Sequence, residues 1–287
     1  MSASATTLHT RLWQHDRVAT AAIVVVALFV VMAAFAPILA PHDPAAADLL
    51  RRLQPPFWLE DGEFAYPLGC DALGRDILSR IIYGARVSIF IGVVVVLLAT
   101  IIGVMAGLAA GYLRGWIDTA ISGVVDILLG FPYLIFAIGL MAMMGPGVGN
   151  IVLVLAYKKW VIPCRVVRGE TLAAREMEYV EAARAIGASR RSIMLREVLP
   201  NILSPVIVVA TMRIAQVIIL EASLSFLGLG VQPPMPSWGA MVADGRSFML
   251  DAWWVSTFPG LAILLLVLAI NLVGQGLREA LDPRARD

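Results

Sequence analysis

The sequence predicts an all-α integral membrane protein with six membrane-spanning helices. Hydrophobic residues make up 60% of the chain and charged residues only 15%, and the mean hydropathy of +0.84 is far too high for a water-soluble domain. Apolar runs recur along the chain, and each is close to the about 20 residues that cross a bilayer core. The predicted spans are Val18–Ala40, Val87–Leu113, Ala120–Met143, Val148–Val166, Ile202–Phe226 and Trp254–Leu277.

The distribution of basic residues predicts that both chain ends are cytoplasmic. Arginines are concentrated in the two tails, beside Arg114 and in the polar segment 167–201, whereas those of residues 41–86 are mixed with acids. Because cytoplasmic segments carry the excess of Lys and Arg, residues 1–17 and 278–287 are predicted to be inner tails. Residues 18–40 then form the first span, and residues 41–86 form an external loop.

The external loop is predicted to be an irregular connection with an amphipathic lead-in helix at its end. It contains Pro41, Pro44, Pro55, Pro56 and Pro67, a density that argues against a separate domain.

Within the predicted lead-in helix, Asp71 is a candidate helix cap. Asp76 stands four residues before Arg80, at the spacing of a favourable helical ion pair.

The polar stretch Glu178–Gly187 has the composition of a surface that binds another protein, and Leu199 and Pro200 end the helical run that follows it. Tyr179, Ala183 and Ile186 recur at helical spacing and predict one packed face. The small side chains of Ala182 and Ala183 keep the surface shallow, and Gly187 is a predicted left-handed helix stop. The segment is interpreted as a docking site for a partner protein, made of a helix, a glycine hinge and a second helix beside the membrane. The alternative is an ordinary solvated loop.

Asp126, Arg213 and Glu221 lie inside predicted spans, where a charge must face protein or water. Asp126 either holds a structural partner or lies in a substrate path. Arg213 either forms an internal pair, with Asp126 as the candidate partner, or faces a substrate whose carboxylate it attracts. Glu221 either holds the outer loop or lines the entrance for substrate.

Other features of the spans predict packing and breaks. Gly103, Gly107 and Gly111 recur every four residues and form a ridge for close packing, either within the subunit or against a partner. Pro132 predicts a kink. Lys158 and Lys159 are predicted to snorkel to the inner surface, so that the fourth helix ends early.

The sequence argues against an enzyme. It has no GxxxxGK[ST] phosphate loop, so energy has to come from a partner. The three histidines lie outside the spans, which excludes an intramembrane serine or zinc protease.

Cys70 and Cys164 are predicted at different depths and do not pair. We expect no cofactor, no metal site and no nucleic-acid partner. A stand-alone secondary transporter is the alternative of another class, although no internal repeat is visible.

Two motifs resemble a known family. Glu181-Ala182-Ala183, followed by Gly187 and by Leu199-Pro200, is similar to the coupling loop of ABC-importer permeases. The run from Pro67 to Arg86 is similar to a signature of the dipeptide, oligopeptide and nickel importers, and the strings at 221–230, 236–239 and 276–284 match the same family.

This resemblance implies an ABC importer permease fold, of the second-subunit type, with its core at residues 87–277 and a coupling loop at 167–201. The residues that it assigns to the contact with an ATPase are Tyr179, Glu181, Ala182, Ala183, Gly187, Leu199 and Pro200. It implies a bacterial inner-membrane location among lipid, with a second permease, ABC ATPase subunits and an extracytoplasmic binding protein as partners. Di- or oligopeptides are the expected cargo, and nickel, glutathione or opine-type compounds are the alternatives.

Overall fold

The computed structural model describes residues 17–281, and in this range all regular secondary structure is helical apart from one isolated bridge between Cys70 and Asp76. The helices are α1 Arg17–Ala34, α2 Ile77–Leu113, α3 Gly115–Gly130, α4 Tyr133–Met144, α5 Val148–Lys159, α6 Val161–Ala174, α7 Glu178–Ala185, α8 Leu203–Phe226, α9 Trp238–Gly245 and α10 Trp254–Leu281. Short turns of helix lie at Ala36–Leu39, Leu49–Arg51, Arg190–Ser192, Leu199–Asn201 and Arg246–Phe248, and a π-helical segment lies at Ile193–Val198. The predicted tails 1–16 and 282–287 lie outside the described residues.

The structure supports four or five spans rather than six continuous ones. Among residues 17–281, α1, α2, α8 and α10 are long and apolar enough to cross a membrane, and α3 with α4 makes a fifth candidate only as a broken pair bent by 90°. The predicted third span is therefore a sharp break and not a kinked helix. Pro132 lacks a backbone N–H and forces Phe131 into an extended conformation, so the helix stops there. The predicted fourth span is likewise divided at Trp160 into α5 and α6.

The glycine ridge of α2 packs inside the subunit, against α6. A Cβ built on Gly103 would lie 2.6 Å from the Cβ of Pro163, and one built on Gly107 would lie 2.5 Å from the carbonyl oxygen of Cys164. At Gly111 the nearest atom would be the Cβ of Thr171, at 2.7 Å. The reading of the ridge as packing within the subunit is thus confirmed. The predicted early end of the fourth helix agrees with α5, which ends at Lys159, although α6 follows directly after Trp160.

Two ends of the helical bundle can be told apart by their contacts. At one end the indole of Trp238 donates to the carbonyl of Ile81 at 2.9 Å, beside the start of α2. At the other end α7 and the segment after it pack on Leu108 and Tyr112, beside the end of α2. Ala19 of α1 touches the position of Gly276 on α10, so the first and last described helices meet at this α7 end.

The lead-in to α2 is capped by Asp76 and not by Asp71. The Asp76 carboxylate accepts from the backbone N–H of Ser79 at 2.9 Å. Asp71 instead closes the preceding turn, where it accepts from the backbone N–H groups of Leu73 and Arg75 at 2.8 and 3.0 Å.

The predicted Asp76–Arg80 ion pair is also replaced, because the Arg80 guanidinium lies 3.4 Å from Asp71.

Candidate functional site

Helix α7 is anchored to the end of α2 by two buried residues. Val180 is fully buried and Ala183 is nearly so, and both belong to the apolar cluster that contains Leu108 and Tyr112 of α2. The i, i+3 spacing of this pair places both side chains on one side of the helix. The buried side of α7 therefore belongs to the same apolar cluster as the end of a spanning helix.

The predicted packed face of Tyr179, Ala183 and Ile186 is only partly correct. Ala183 is buried, but Tyr179 and Ile186 are 38% and 85% exposed. The helix has only eight residues and Ile186 is its C-cap, so the helical phase is not continued to that position.

The outward surface of α7 combines apolar and small residues. Met177, Tyr179 and Ile186 are exposed there, together with Ala182 and Glu181. Exposed apolar groups that stand close together on an otherwise polar loop are typical of a surface that another protein covers.

Gly187 ends α7 in a left-handed conformation, with φ of +82°, as predicted. Its N–H donates to the carbonyl of Arg184 at 3.0 Å, and the N–H of Ala188 donates to that of Ala183 at 3.1 Å. These two bonds form a Schellman motif, which satisfies helix-end carbonyls and fixes the direction in which the chain leaves. The chain then runs through the π-helical segment to Leu199, which is half-buried, and Pro200, which is exposed.

Asp126 and Arg213 do not pair with each other, which corrects that prediction. Asp126 accepts from Arg165 of α6 at 2.5 Å, and both side chains are more than half exposed. One helical turn away, Arg168 holds Asp118 with two bonds of 2.6 and 2.8 Å. Two arginines of α6 therefore bind the two carboxylates of α3.

Arg213 belongs instead to a polar cluster with Gln216 and Lys159. The Arg213 guanidinium donates to the Gln216 side-chain carbonyl at 2.8 Å, and the Lys159 ammonium lies 3.5 Å from the same oxygen. Lys159 also lies 4.6 Å from the centre of the Tyr133 ring. Among residues 17–281 the contacts of these two cations include no ion pair with a carboxylate, so the cluster carries excess positive charge at a half-open surface.

Lys159 and Gln216 were missed as site residues by sequence reasoning, although the intramembrane lysines themselves were a visible signal. The expected snorkelling is wrong for Lys158, which is only 6% exposed. Its ammonium donates to the carbonyl of Phe131, in the break between α3 and α4.

Glu221 is fully buried beneath the outer loop. It accepts from the hydroxyls of Ser88 at 3.1 Å and Ser225 at 2.8 Å. The Ser225 oxygen in turn accepts from the backbone N–H of Val231 at 3.2 Å. These contacts favour the role of holding the loop over the role of lining the substrate entrance.

Cys70 and Cys164 are both free and buried, so the prediction that they do not pair is confirmed. Burial raises the pKa of the Cys70 thiol to about 12, and the nearby carboxylates of Asp76 and Asp71 act in the same direction. Among residues 17–281 the structure contains no cluster of three or more His, Cys, Asp or Glu side chains that would hold a metal ion.

Two family models match the chain. Residues 99–287 match the model of the binding-protein-dependent transport system inner membrane component, and residues 11–56 match the N-terminal transmembrane domain of oligopeptide transport permease C.

Curated relatives align over nearly the whole chain. A di/tripeptide transport system permease of Pseudomonas aeruginosa is 43% identical, over 96% of this chain and 92% of that protein. A glutathione transport system permease of Pectobacterium atrosepticum is 44% identical, over 96% and 90%. A probable D,D-dipeptide transport system permease of Escherichia coli is 42% identical, over 91% and 86%.

Among solved structures, the fold is similar to an inward-facing methionine ABC transporter, with a TM-score of 0.58, 18% identity and coverage of 72% of this chain and 98% of that one. It is also similar to an amino acid ABC transporter, with a TM-score of 0.54, 14% identity and coverage of 70% and 94%. The first family model covers more than half of the chain and the curated relatives align over nearly all of it, so the chain belongs to the family of binding-protein-dependent transport system inner membrane components, the permeases of bacterial inner-membrane ABC importers.

Proposed function

We propose that this chain imports di- or oligopeptides as one of two homologous permeases, driven by separate cytoplasmic ATPase subunits and supplied by an extracytoplasmic binding protein. The observation that carries the proposal is the exposed apolar surface of α7, whose buried side belongs to the apolar cluster at the end of a spanning helix. Peptide cargo is favoured because the relative from Pseudomonas is named as a di/tripeptide permease and that from Escherichia as a probable D,D-dipeptide permease.

The contacts of α7 suit a lever. An ATPase would press on Tyr179, Ala182 and Ile186, with Glu181, Gly187, Leu199 and Pro200 at the border of the contact. Val180 and Ala183 would pass the motion to α2 through the buried cluster. Packed helices switch between discrete arrangements and do not deform continuously, so this motion would exchange inward-open and outward-open states.

The proposed topology has both chain ends and the coupling loop 167–201 in the cytoplasm, with residues 41–86 outside and the core at 87–277. In this topology the broken pairs α3–α4 and α5–α6 complete six passes. Support comes from the bundle itself, in which α1 begins and α10 ends at the α7 end.

The proposed substrate path lies on the surface that carries Arg213, Lys159 and Asp126. Charged groups at membrane depth have to face water or protein. A substrate path between this chain and the second permease would supply both water and protein contacts for these charges. The Arg213–Gln216–Lys159 cluster is suited to a peptide carboxylate, because two cations converge on one neutral amide. Glu221 would support the loop above this path.

Reconstitution of the complete importer in vesicles tests the proposal. We expect uptake of a labelled dipeptide only when the two permeases, the ATPases, the binding protein and ATP are all present. Solute movement by this chain alone would refute the proposal in favour of a secondary transporter.

A cysteine placed at Ala182, in a chain whose own cysteines are replaced by serine, tests the topology. An impermeant maleimide should label it only from the cytoplasmic side, and labelling from outside would refute the coupling role.

Glutathione is the second candidate cargo, since the relative from Pectobacterium is named for it. Competition between unlabelled glutathione and a labelled dipeptide distinguishes the two. Peptide specificity predicts that glutathione competes weakly, and strong competition by glutathione would favour the second candidate.

A further inference from the structure

A cavity of about 360 Å³ lies between the end of α2, the segment after α6 and the end of α7. Four arginines, Arg114, Arg175, Arg184 and Arg190, line it together with Tyr112. The proposed import function uses none of these arginines.

Arg175 is largely buried, whereas Arg114, Arg184 and Arg190 are exposed at the mouth of the cavity. The Arg175 guanidinium donates to the carbonyl of Tyr112 at 2.7 Å, and its side chain is only 18% exposed. Arg175 and Arg184 lie 5.7 and 5.9 Å from the centre of the Tyr112 ring. Arg114 reaches the same region through Glu176, at 2.9 Å. Three of the four guanidinium groups are therefore oriented before any ligand arrives.

Charge in the cavity is not balanced. Glu176 pairs with both Arg114 and Arg175, at 2.9 and 3.2 Å. In the part of the chain that the structure describes, this is the one carboxylate paired with the four lining arginines. Four guanidinium groups around a single carboxylate form a site for an anion, and their planar forks match the oxygens of a phosphate.

The position of the cavity limits which anions can reach it. Tyr112 and Leu113 are the last residues of the long spanning helix α2, and Trp116, which follows closely, is 79% exposed. An exposed tryptophan at the end of a spanning helix marks the headgroup level of a bilayer. Basic pockets at this depth take the headgroups of anionic lipids.

The cavity adjoins the surface proposed for the ATPase at Gly187 and Ala188 but does not include its apolar residues. Arg184 of α7 points into it, whereas Tyr179 and Ile186 are not among its lining residues. Contact of an ATPase with the exposed apolar surface would leave this flank of α7 accessible.

We propose that the arginine cavity binds a phosphate-bearing anion, either a phospholipid headgroup or free phosphate, which bridges the end of α2 to α7. The anion relieves the repulsion among the guanidinium groups and adds charge-assisted bonds between the two elements. The binding itself does not depend on the proposed cargo or on the direction of transport.

The test uses the purified importer, with its ATPases, and a double variant Arg114→Gln/Arg190→Gln. Arg191→Gln/Arg196→Gln is the matched control, because it removes the same charge from exposed positions of the same region that do not line the cavity. The probes are dioctanoyl phosphatidylglycerol and inorganic phosphate, and binding is measured by native mass spectrometry and calorimetry. Exposed ion pairs contribute little to stability, so both variants should assemble like wild type.

We expect saturable binding of one probe to wild type and to the control, and binding about tenfold weaker or more in the double variant. Binding of the lipid alone identifies a headgroup as the ligand, and binding of inorganic phosphate identifies a free anion. The proposal is overturned if neither probe binds wild type saturably, or if the double variant and the control bind equally well. A complex that binds the probe but imports no peptide would leave this inference standing while refuting the proposed function.

Discussion

Replacement of Ile186 by serine should weaken the contact with the ATPase without harming the permease itself. Ile186 is 85% exposed in the subunit, so it contributes little to the packing of the fold. Full burial of an isoleucine side chain at an interface is worth about 1.5–3 kcal/mol. Since about 1.4 kcal/mol corresponds to a factor of ten in affinity, the substitution should raise the dissociation constant roughly 10- to 100-fold.

The assay is a titration of the ATPase subunit onto the permease pair in nanodiscs, followed by biolayer interferometry. The melting temperature of the variant permease should equal that of wild type, which separates lost docking from lost folding. Leu250→Ser is the matched control, because Leu250 is an equally exposed apolar residue, 98% accessible, in the loop before α10.

Unchanged affinity in Ile186→Ser would refute the assignment of the α7 surface to the ATPase. An equal loss of affinity in Leu250→Ser would also refute it, because the effect would then not depend on location.

Three further predictions concern the hinge, the polar cluster and a buried thiol. Gly187→Leu has open space for its side chain but places a non-glycine residue at a φ of +82°, at a cost of about 1–2 kcal/mol. We expect that loaded binding protein no longer stimulates ATP hydrolysis by the variant importer, while circular dichroism shows unchanged helicity. Normal stimulation would contradict the role of the hinge. Arg213→Gln should reduce uptake of dipeptides with a free carboxylate more than that of their amides, and an equal reduction of both would argue against a carboxylate site. Because burial raises the pKa of the Cys70 thiol to about 12, this thiol stays neutral at pH 8. In a Cys164→Ser variant, maleimide should therefore label Cys70 only after the protein is denatured. Labelling of the native protein would show that the thiol is accessible.

Several features follow from the sequence alone because they depend on local chemistry. The long apolar runs specify membrane helices whatever their neighbours, although only four are continuous in the described residues. Gly187 takes the left-handed conformation because a residue without Cβ adopts it without strain. The glycines of α2 predicted close helix packing, and the structure supplied α6 as the partner.

The partners of the charged residues could be decided only by the tertiary structure. Asp126 and Arg165 are 39 positions apart, and Lys159 and Gln216 are 57 apart, so no local pattern connects them. Which acid meets which base depends on the rotation of α3 against α6 and on the 90° bend at Pro132. The arginine cavity arises in the same way, since the end of α2 and the end of α7 meet only after folding. Composition and local conformational preference are properties of the chain, whereas the pairing of distant charges is a property of how its helices pack.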